Sequence, residues 1–334
     1  MRRTGGLYAG IADLDNLLTA YHRAGRGKLD RSAVAAFGAD LHGNLAALRA
    51  ELLAEDVVLH GYRFFLVHDP KPRRIAAPAF RDRVLHHAIL QQLEPALERV
   101  AVHDSYACRR GKGLHRAIAR AQTYARRHTH YLQLDVRKFF DSIDHGTLLQ
   151  LLARRCKDRP LLRLLARIVG SYATAPGVGL PIGSLTSQHL ANFYLAPLDH
   201  FVKETLRIRG YVRYMDDFVL FGDDAELRAA RAAVVAFLRD TLRLQPKHAG
   251  ILRPCTAGLA CLGLLVRPSH VRLAGKTKRR MRRRLQALVA GYRAGCVDPA
   301  ALARRTTAVL VRTHQVRARG LRRRWVAEFA GVDA

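Results

Sequence analysis

The spacing of apolar and polar positions divides the chain into helical and strand-like stretches. Residues 8–59 carry apolar side chains at helical spacing, first in YAGIADLDNLLTAYHRA and then in AVAAFGADLHGNLAALRAELLAED. A strand-like run, YRFFLVHD (62–69), follows, and the two prolines of PKPRR break the pattern after it. Phe80 to Val102 returns to helical spacing, and HYLQLDV (130–136) reads as a short strand. Asp144 or Thr147 is suited to cap a helix running through Arg155, because a short oxygen side chain there satisfies free backbone N–H groups. The Gly/Pro-rich APGVGLPIGS (175–184) leads into a long amphipathic helix from about Thr186 to Leu206, with Leu190, Phe193, Leu198 and Phe201 along one face.

YVRYMDDFVLF (211–221) breaks its own rule. Aromatic and β-branched residues favour a strand, yet Asp216 and Asp217 sit in the middle of it. A hairpin with the Asp pair at its tip fits that pattern, although Asn-Gly or Asp-Gly turns such a hairpin better. Two like charges side by side also call for something positive nearby. A helix over AELRAARAAVVAFLRDTL comes next, with Asp223 and Asp224 ahead of it as capping residues, and then short strands near LACLGLLV (259–266). In the tail Met281, Leu285, Leu288, Val289 and Tyr292 share one helical face, opposite Arg280, Arg283 and Arg284. No internal repeat is apparent. Strands interleaved with helices, then a helical end, predict an α+β core with a helical appendage.

Charge narrows the function. Across 334 residues, 57 Lys and Arg against 27 Asp and Glu leave a net +30, a field that attracts polyanions, nucleic acid above all. An Arg-rich coding bias explains Arg over Lys but not a twofold excess of base over acid. From Arg267 onward there are 18 Lys and Arg and three acidic residues, so half of the net charge lies in the last fifth of the chain. Five cysteines without a CxxC pair read as reduced thiols rather than a disulfide frame or zinc site, and no run has signal-peptide or membrane-span character. A cytoplasmic protein is expected.

A second acidic position resembles the first. In YLQLDVRKFFDSIDH, Asp135 ends an apolar strand, and neighbouring strands would bring it to Asp216 and Asp217. Phosphoryl transfer by two divalent ions about 3.5–4 Å apart needs such hard oxygen ligands on rigid strands, and the cations would neutralise the repulsion within the Asp pair. Asp141 and Asp144 read as turn and cap residues, Cys108 as packed, and His86 and His87 as helix residues rather than ligands.

YMDD after an aromatic-apolar strand, LDVRKFFDSID about 80 residues upstream and LPIGSLTSQ between them resemble, in order and spacing, the palm motifs of reverse transcriptases. HDPKPRRIAAPAFRDRVLHHAI (68–89) and DSYACRRGKGLHRAI (104–118) are similar to the fingers motifs, and LACLGLLV to the strand that grips the primer. LPIGSLTSQ carries Ile182 where most such enzymes have Gln, and Gln188 where they have Pro. With SYACRRGKG and ADLDNLLTAYHRAGRGK, that variant resembles the reverse transcriptases of diversity-generating retroelements.

The resemblance implies a right-hand polymerase fold: a helical N-terminal extension (1–60), fingers (61–130), a palm (131–266) with an interleaved fingers segment at about 146–178, and a basic three-helix thumb (267–334). It implies catalysis by Asp135, Asp216 and Asp217, which with the Val136 carbonyl would hold two Mg2+ ions, Mn2+ serving as a substitute. Arg73 and Arg109 would face the incoming triphosphate, Phe140 would exclude a ribose 2′-OH, Ile182, Gly183 and Gln188 would lie by the nascent pair, and Lys247 by the leaving pyrophosphate. Lys278, Arg280, Arg283 and Arg284 would track the template–primer backbone. The implied activity is RNA-directed DNA synthesis from a template-repeat RNA, with errors at template adenines, using dNTPs, a structured RNA, a DNA or RNA primer and a small basic ring-forming accessory protein. The alternatives are the reverse transcriptase of another prokaryotic retroelement or phage-defence system, retron or group II-like, and a non-catalytic RNA-binding scaffold.

Overall fold

The computed structural model describes residues 3–68, 72–316 and 318–330. The N-terminal stretch forms α1 (Leu7–Ile11), α2 (Leu14–Gly25), α3 (Ser32–Ala39) and α4 (Leu41–Leu53). Asp13 and Asp40 cap α2 and α4 by accepting from the Asn16 and Gly43 backbone N–H groups. A two-stranded ribbon follows, β1 (Tyr62–Val67) antiparallel to β2 (Arg73–Pro78), with Tyr62 opposite Pro78 and Val67 opposite Arg73. The apolar pattern foresees β1 but not β2. RRIAAP alone has no strand signature; it is held by β1 and by the Ala76 N–H, which donates to the Ile182 carbonyl at 2.8 Å. The expected break at PKPRR (70–74) falls partly on residues 70–71, outside the described residues. The long helix α5 (Phe80–Glu98) packs against α1, α2 and α3, joining the N-terminal helices to one large apolar core.

Next come α6 (Leu114–Arg127), β3 (His130–Asp135), α7 (His145–Ala153) and α8 (Arg159–Gly170). Asp144 is the cap of α7, accepting from the Thr147 N–H at 2.7 Å. The helix expected over 186–206 is interrupted: α9 (Leu185–Tyr194) gives way to α10 (Ala196–His200) and a π-helical turn at Phe201–Thr205. Pro197 supplies the reason, since it lacks the N–H that a continuous helix needs.

β4 (Gly210–Tyr214) and β5 (Asp217–Gly222) form the hairpin, and α11 (Asp224–Asp240) follows, capped by Asp223. With β6 (Ile251–Pro254) they make an antiparallel sheet in the order β4-β5-β3-β6. One face of β3 buries Leu132 and Leu134 completely, which fixes its register against slippage. A second sheet, β7 (Leu259–Cys261), β8 (Leu264–Val266) and β9 (Val271–Leu273), leads to α12 (Gly275–Arg293), α13 (Pro299–Leu310) and α14 (Arg319–Ala330). Met281, Leu285, Val309 and Trp325 form the small core of these three helices. Tyr292, expected on the apolar face of α12, is 45% exposed. The α+β expectation holds, and among the described residues no helix is long and apolar enough to cross a membrane.

Candidate active site

The register of the main sheet sets two of the three carboxylates opposite each other, and the hairpin turn carries the third. Asp135, the last residue of β3, stands opposite Asp217, the first residue of β5. Directly opposed residues share one face, with Cβ atoms roughly 4.5–5.5 Å apart. Asp217 also pairs with Tyr214, so the turn itself is Met215–Asp216 and not the Asp pair. Two-residue hairpins favour positive φ, and Met215 adopts φ 57 without being glycine or asparagine, a conformation that costs ~1–3 kcal/mol. The hairpin thus delivers one aspartate from its turn and one from its returning strand.

Burial and mutual repulsion dominate the electrostatics. Burial, followed by the charges of Asp135 and Asp217 and a side-chain hydrogen bond to Asp135, pushes the Asp216 carboxyl up to about 6. Burial likewise raises Asp217 to about 6, with Asp135 adding to it and the Gln133 amide opposing it. The positive charge that the sequence calls for is Lys247, whose ammonium binds Asp135. Its delivery is a backbone matter: the Arg137 N–H donates to the Gln245 carbonyl at 2.9 Å and the Lys247 N–H to the Asp135 carbonyl at 2.8 Å. Val136, 2% exposed, pairs with Pro246 between these bonds.

Among the described residues no three His, Cys, Asp or Glu side chains stand close enough to hold a metal ion as a group. Asp135 is engaged by Lys247, and Asp217 accepts from Gln133 Nε2 at 3.1 Å. The donor chemistry nonetheless fits a hard divalent cation: the three carboxylates offer only oxygen, and Asp216 and Asp217 are held against ionisation by burial and by the charge of Asp135.

Around the carboxylates the other expected residues divide. Phe140 is half-buried in a 3-10 turn after Lys138, with its carbonyl accepting from the Leu180 N–H at 2.8 Å and its ring edge-on to Phe139. Gly183 has φ 119, and a Cβ there would stand 2.7 Å from Ile75 Cγ2, so only glycine lets this loop close onto β2. Ile182 lies in the same contact, its carbonyl bonded to Ala76, while Gln188 is exposed on α9. Arg73 is exposed at the start of β2.

Arg109 is tied into the loop that follows α5. Its guanidinium is forked onto Glu98 (2.6–3.0 Å) and bonds the Val102 and Ser105 carbonyls, and its side chain is only 7% exposed. All three of its guanidinium nitrogens bond here, holding this loop against α5. On α12, Lys278, Arg283 and Arg284 are exposed and Arg280 is half-buried, a basic outer face as the pattern indicates.

Gln133 was not foreseen. Its amide bridges Asp217 and the Ala260 carbonyl of β7, each at 3.1 Å, tying the second sheet to the carboxylates. A signal exists: Gln133 and Asp135 are two apart on a strand and therefore share a face. Gln133→Leu is expected to lower turnover about tenfold by freeing Asp217, the scale of one lost hydrogen bond to a charged group. Steady-state kinetics with a fixed template–primer checks it.

The sequence profile described as reverse transcriptase (RNA-dependent DNA polymerase) matches residues 68–247. Similar curated proteins include protein YkfC of Escherichia coli, 25% identical over 52% of this chain and 58% of its own length. The group II intron-encoded protein LtrA of Lactococcus lactis is 29% identical over 40% of this chain and 23% of its length. An uncharacterized 91 kDa protein in the cob intron of Schizosaccharomyces pombe is 31% identical over 40% of this chain and 17% of its length. The chain therefore spans less than two thirds of each of these relatives. Among solved structures, apo telomerase from Candida tropicalis aligns over 80% of this chain and 62% of its own at 10% identity, with a TM-score of 0.48. The profile covers more than half of the sequence, and this chain, with its right-hand polymerase fold, belongs to the reverse transcriptase (RNA-dependent DNA polymerase) family.

Proposed function

We propose that the chain is an RNA-directed DNA polymerase that copies a template-repeat RNA into cDNA for targeted gene diversification. The observation that carries the polymerase reading is the register that sets Asp135 opposite Asp217 and beside Asp216, with Lys247 pinned against them. In this reading residues 1–60 are an N-terminal extension, 61–130 fingers, 131–266 palm with a fingers segment at about 146–178, and 267–334 thumb. Asp135, Asp216 and Asp217, with the Val136 carbonyl, would hold two Mg2+ ions, which supply charge neutralisation for an in-line phosphoryl transfer when bound.

The chain's own residues do the rest. The primer 3′-hydroxyl oxygen bonds the α-phosphorus of the dNTP, losing its proton to solvent, as the bond to pyrophosphate breaks. Lys247 and exposed Arg73 meet the charge of the triphosphate and its leaving group. Phe140 packs under the sugar. Ile182, Gly183 and Gln188 face the nascent pair. Lys278, Arg280, Arg283 and Arg284 give the thumb affinity for duplex backbone with little sequence preference. Arg109 would reach the triphosphate by exchanging Glu98, to which its guanidinium is bound, for the phosphate oxygens. A structured template RNA, a primer and a small basic ring-forming accessory protein complete the assembly, in the cytoplasm.

The diversification reading rests on LPIGSLTSQ. Ile182 offers an apolar side chain where an amide would hydrogen-bond, and a missing bond lowers discrimination between pairs. Ile182→Gln is expected to cut misincorporation opposite adenine severalfold, read by sequencing cDNA made on a defined RNA. Wild-type cDNA with errors no more frequent at adenine than elsewhere would reject diversification. That result would leave the second reading, a retroelement enzyme of group II type, which the similarity to LtrA favours. A non-catalytic scaffold is disfavoured, since all three carboxylates are present and Asp135 and Asp217 stand opposite each other beside the turn that carries Asp216.

A further inference from the structure

β4 buries a charge that stability alone does not call for. Arg213 is 1% exposed and Asp199, on α10, is 0% exposed. Arg213 donates to Asp199 from Nε at 2.6 Å and from Nη2 at 2.5 Å. Its Nη1 donates to Asn192 Oδ1 at 2.7 Å and to the Met215 carbonyl at 3.1 Å, and Nη2 also reaches the Asn192 carbonyl at 3.2 Å. The Tyr211 hydroxyl donates to Asp199 at 2.7 Å. Asn192 is itself fixed, donating to the Ala107 carbonyl at 2.9 Å.

Burying an ion pair returns little stability over apolar side chains of similar volume, because desolvation offsets the attraction. The network has one feature that apolar packing would lack. It ends on the carbonyl of Met215, the left-handed residue of the turn that carries Asp216 and precedes Asp217. A planar guanidinium can grip Asp199, Asn192 and that carbonyl at once; an ammonium cannot. α9 and α10 therefore reach the carboxylate turn through the Arg213 guanidinium.

We propose that Arg213 is a positioning residue for the polymerase site, anchored by Asp199 and Asn192 and fixing the Met215 turn so that Asp216 and Asp217 are aimed together. The inference rests on the polymerase reading and concerns how its carboxylates are set. Misplacing reacting groups by about 1 Å costs on the order of 100-fold in rate.

Two variants test it: the apolar replacement Arg213→Met/Asp199→Leu/Tyr211→Phe, and Arg213→Lys, which keeps the charge beside Asp199. Each is measured for thermal unfolding, for kcat and KM of single-nucleotide addition on an RNA template, and for Mn2+ affinity by electron paramagnetic resonance without nucleic acid. The expected result is near-native unfolding, kcat lower by about 100-fold in the triple variant and about tenfold in Arg213→Lys, a dNTP KM within about threefold, and weakened Mn2+ binding. Wild-type kcat and Mn2+ affinity in either folded variant would overturn the proposal. So would failure of Arg213→Lys to fold, which would make the network structural. Wild-type protein that binds Mn2+ but extends no primer would instead end the polymerase reading, and the Mn2+ titration would then decide this one.

Discussion

Asp216→Asn is expected to reduce RNA-templated primer extension at least ~1,000-fold while making the metal-free protein more stable at neutral pH. The loss follows from removing one of three carboxylates proposed to hold cations that neutralise transition-state charge, worth several kcal/mol. The gain follows from the same geometry. The carboxyl of Asp216 is raised to about 6 from the ordinary 3.8 by burial and by Asp135 and Asp217. Above pH 6 the folded protein must carry a charge that its surroundings disfavour, and so it is destabilised relative to the unfolded chain. Below 3.8 both states are protonated and the penalty is gone. The stability advantage of the Asn variant should therefore be full above pH 6, shrink between 6 and 3.8, and vanish below. Thermal unfolding in a chelator at pH 4 and pH 7.5 reads it; an inactive variant that is less stable than wild type at pH 7.5 would contradict the electrostatic account.

Phe140→Ala carries the second large effect. The Phe140 ring rises from a short turn fixed at both ends, by Lys138 at φ 46 before it and by the Leu180 N–H on its carbonyl, and it leans on Phe139. A ring held this firmly would discriminate by shape in its proposed place under the sugar. Its removal is expected to lower the preference for dNTP over rNTP by tenfold to about 200-fold, the range that steric pockets achieve, with little change in dNTP turnover. Competing single-nucleotide additions measure the ratio directly. An unchanged ratio would place the sugar elsewhere.

What the sequence shows and what it hides separates along locality. The strand HYLQLD and the hairpin strands are legible because alternation and β-branched or aromatic residues specify them within a few positions. Asp144 and Asp223 are legible as caps for the same reason. β2 and β6 are not, since RRIAAP and ILRP are short, contain proline and become strands only beside β1 and β3. Pro197 is a local breaker, and the amphipathic face of 186–206 obscures it.

At the site the aspartates are legible as chemistry, but their meeting depends on the register of β3 with β5. Lys247 depends on the pairing of residues 245–247 with 135–137, across more than a hundred residues. Arg109 shows what residue type leaves open. In a chain with net +30, residue type alone does not tell a guanidinium that faces substrate from one that ties a loop to Glu98.

Single-nucleotide addition to a primer annealed on RNA, followed as Mg2+ is titrated into the full chain, tests the central claim most directly. The three-carboxylate site calls for addition of the templated dNTP only, saturating with Mg2+, abolished by chelation and absent in Asp216→Asn. Addition that ignores the template or persists in Asp216→Asn would contradict it, as would tight binding of the template–primer without any addition at saturating Mg2+.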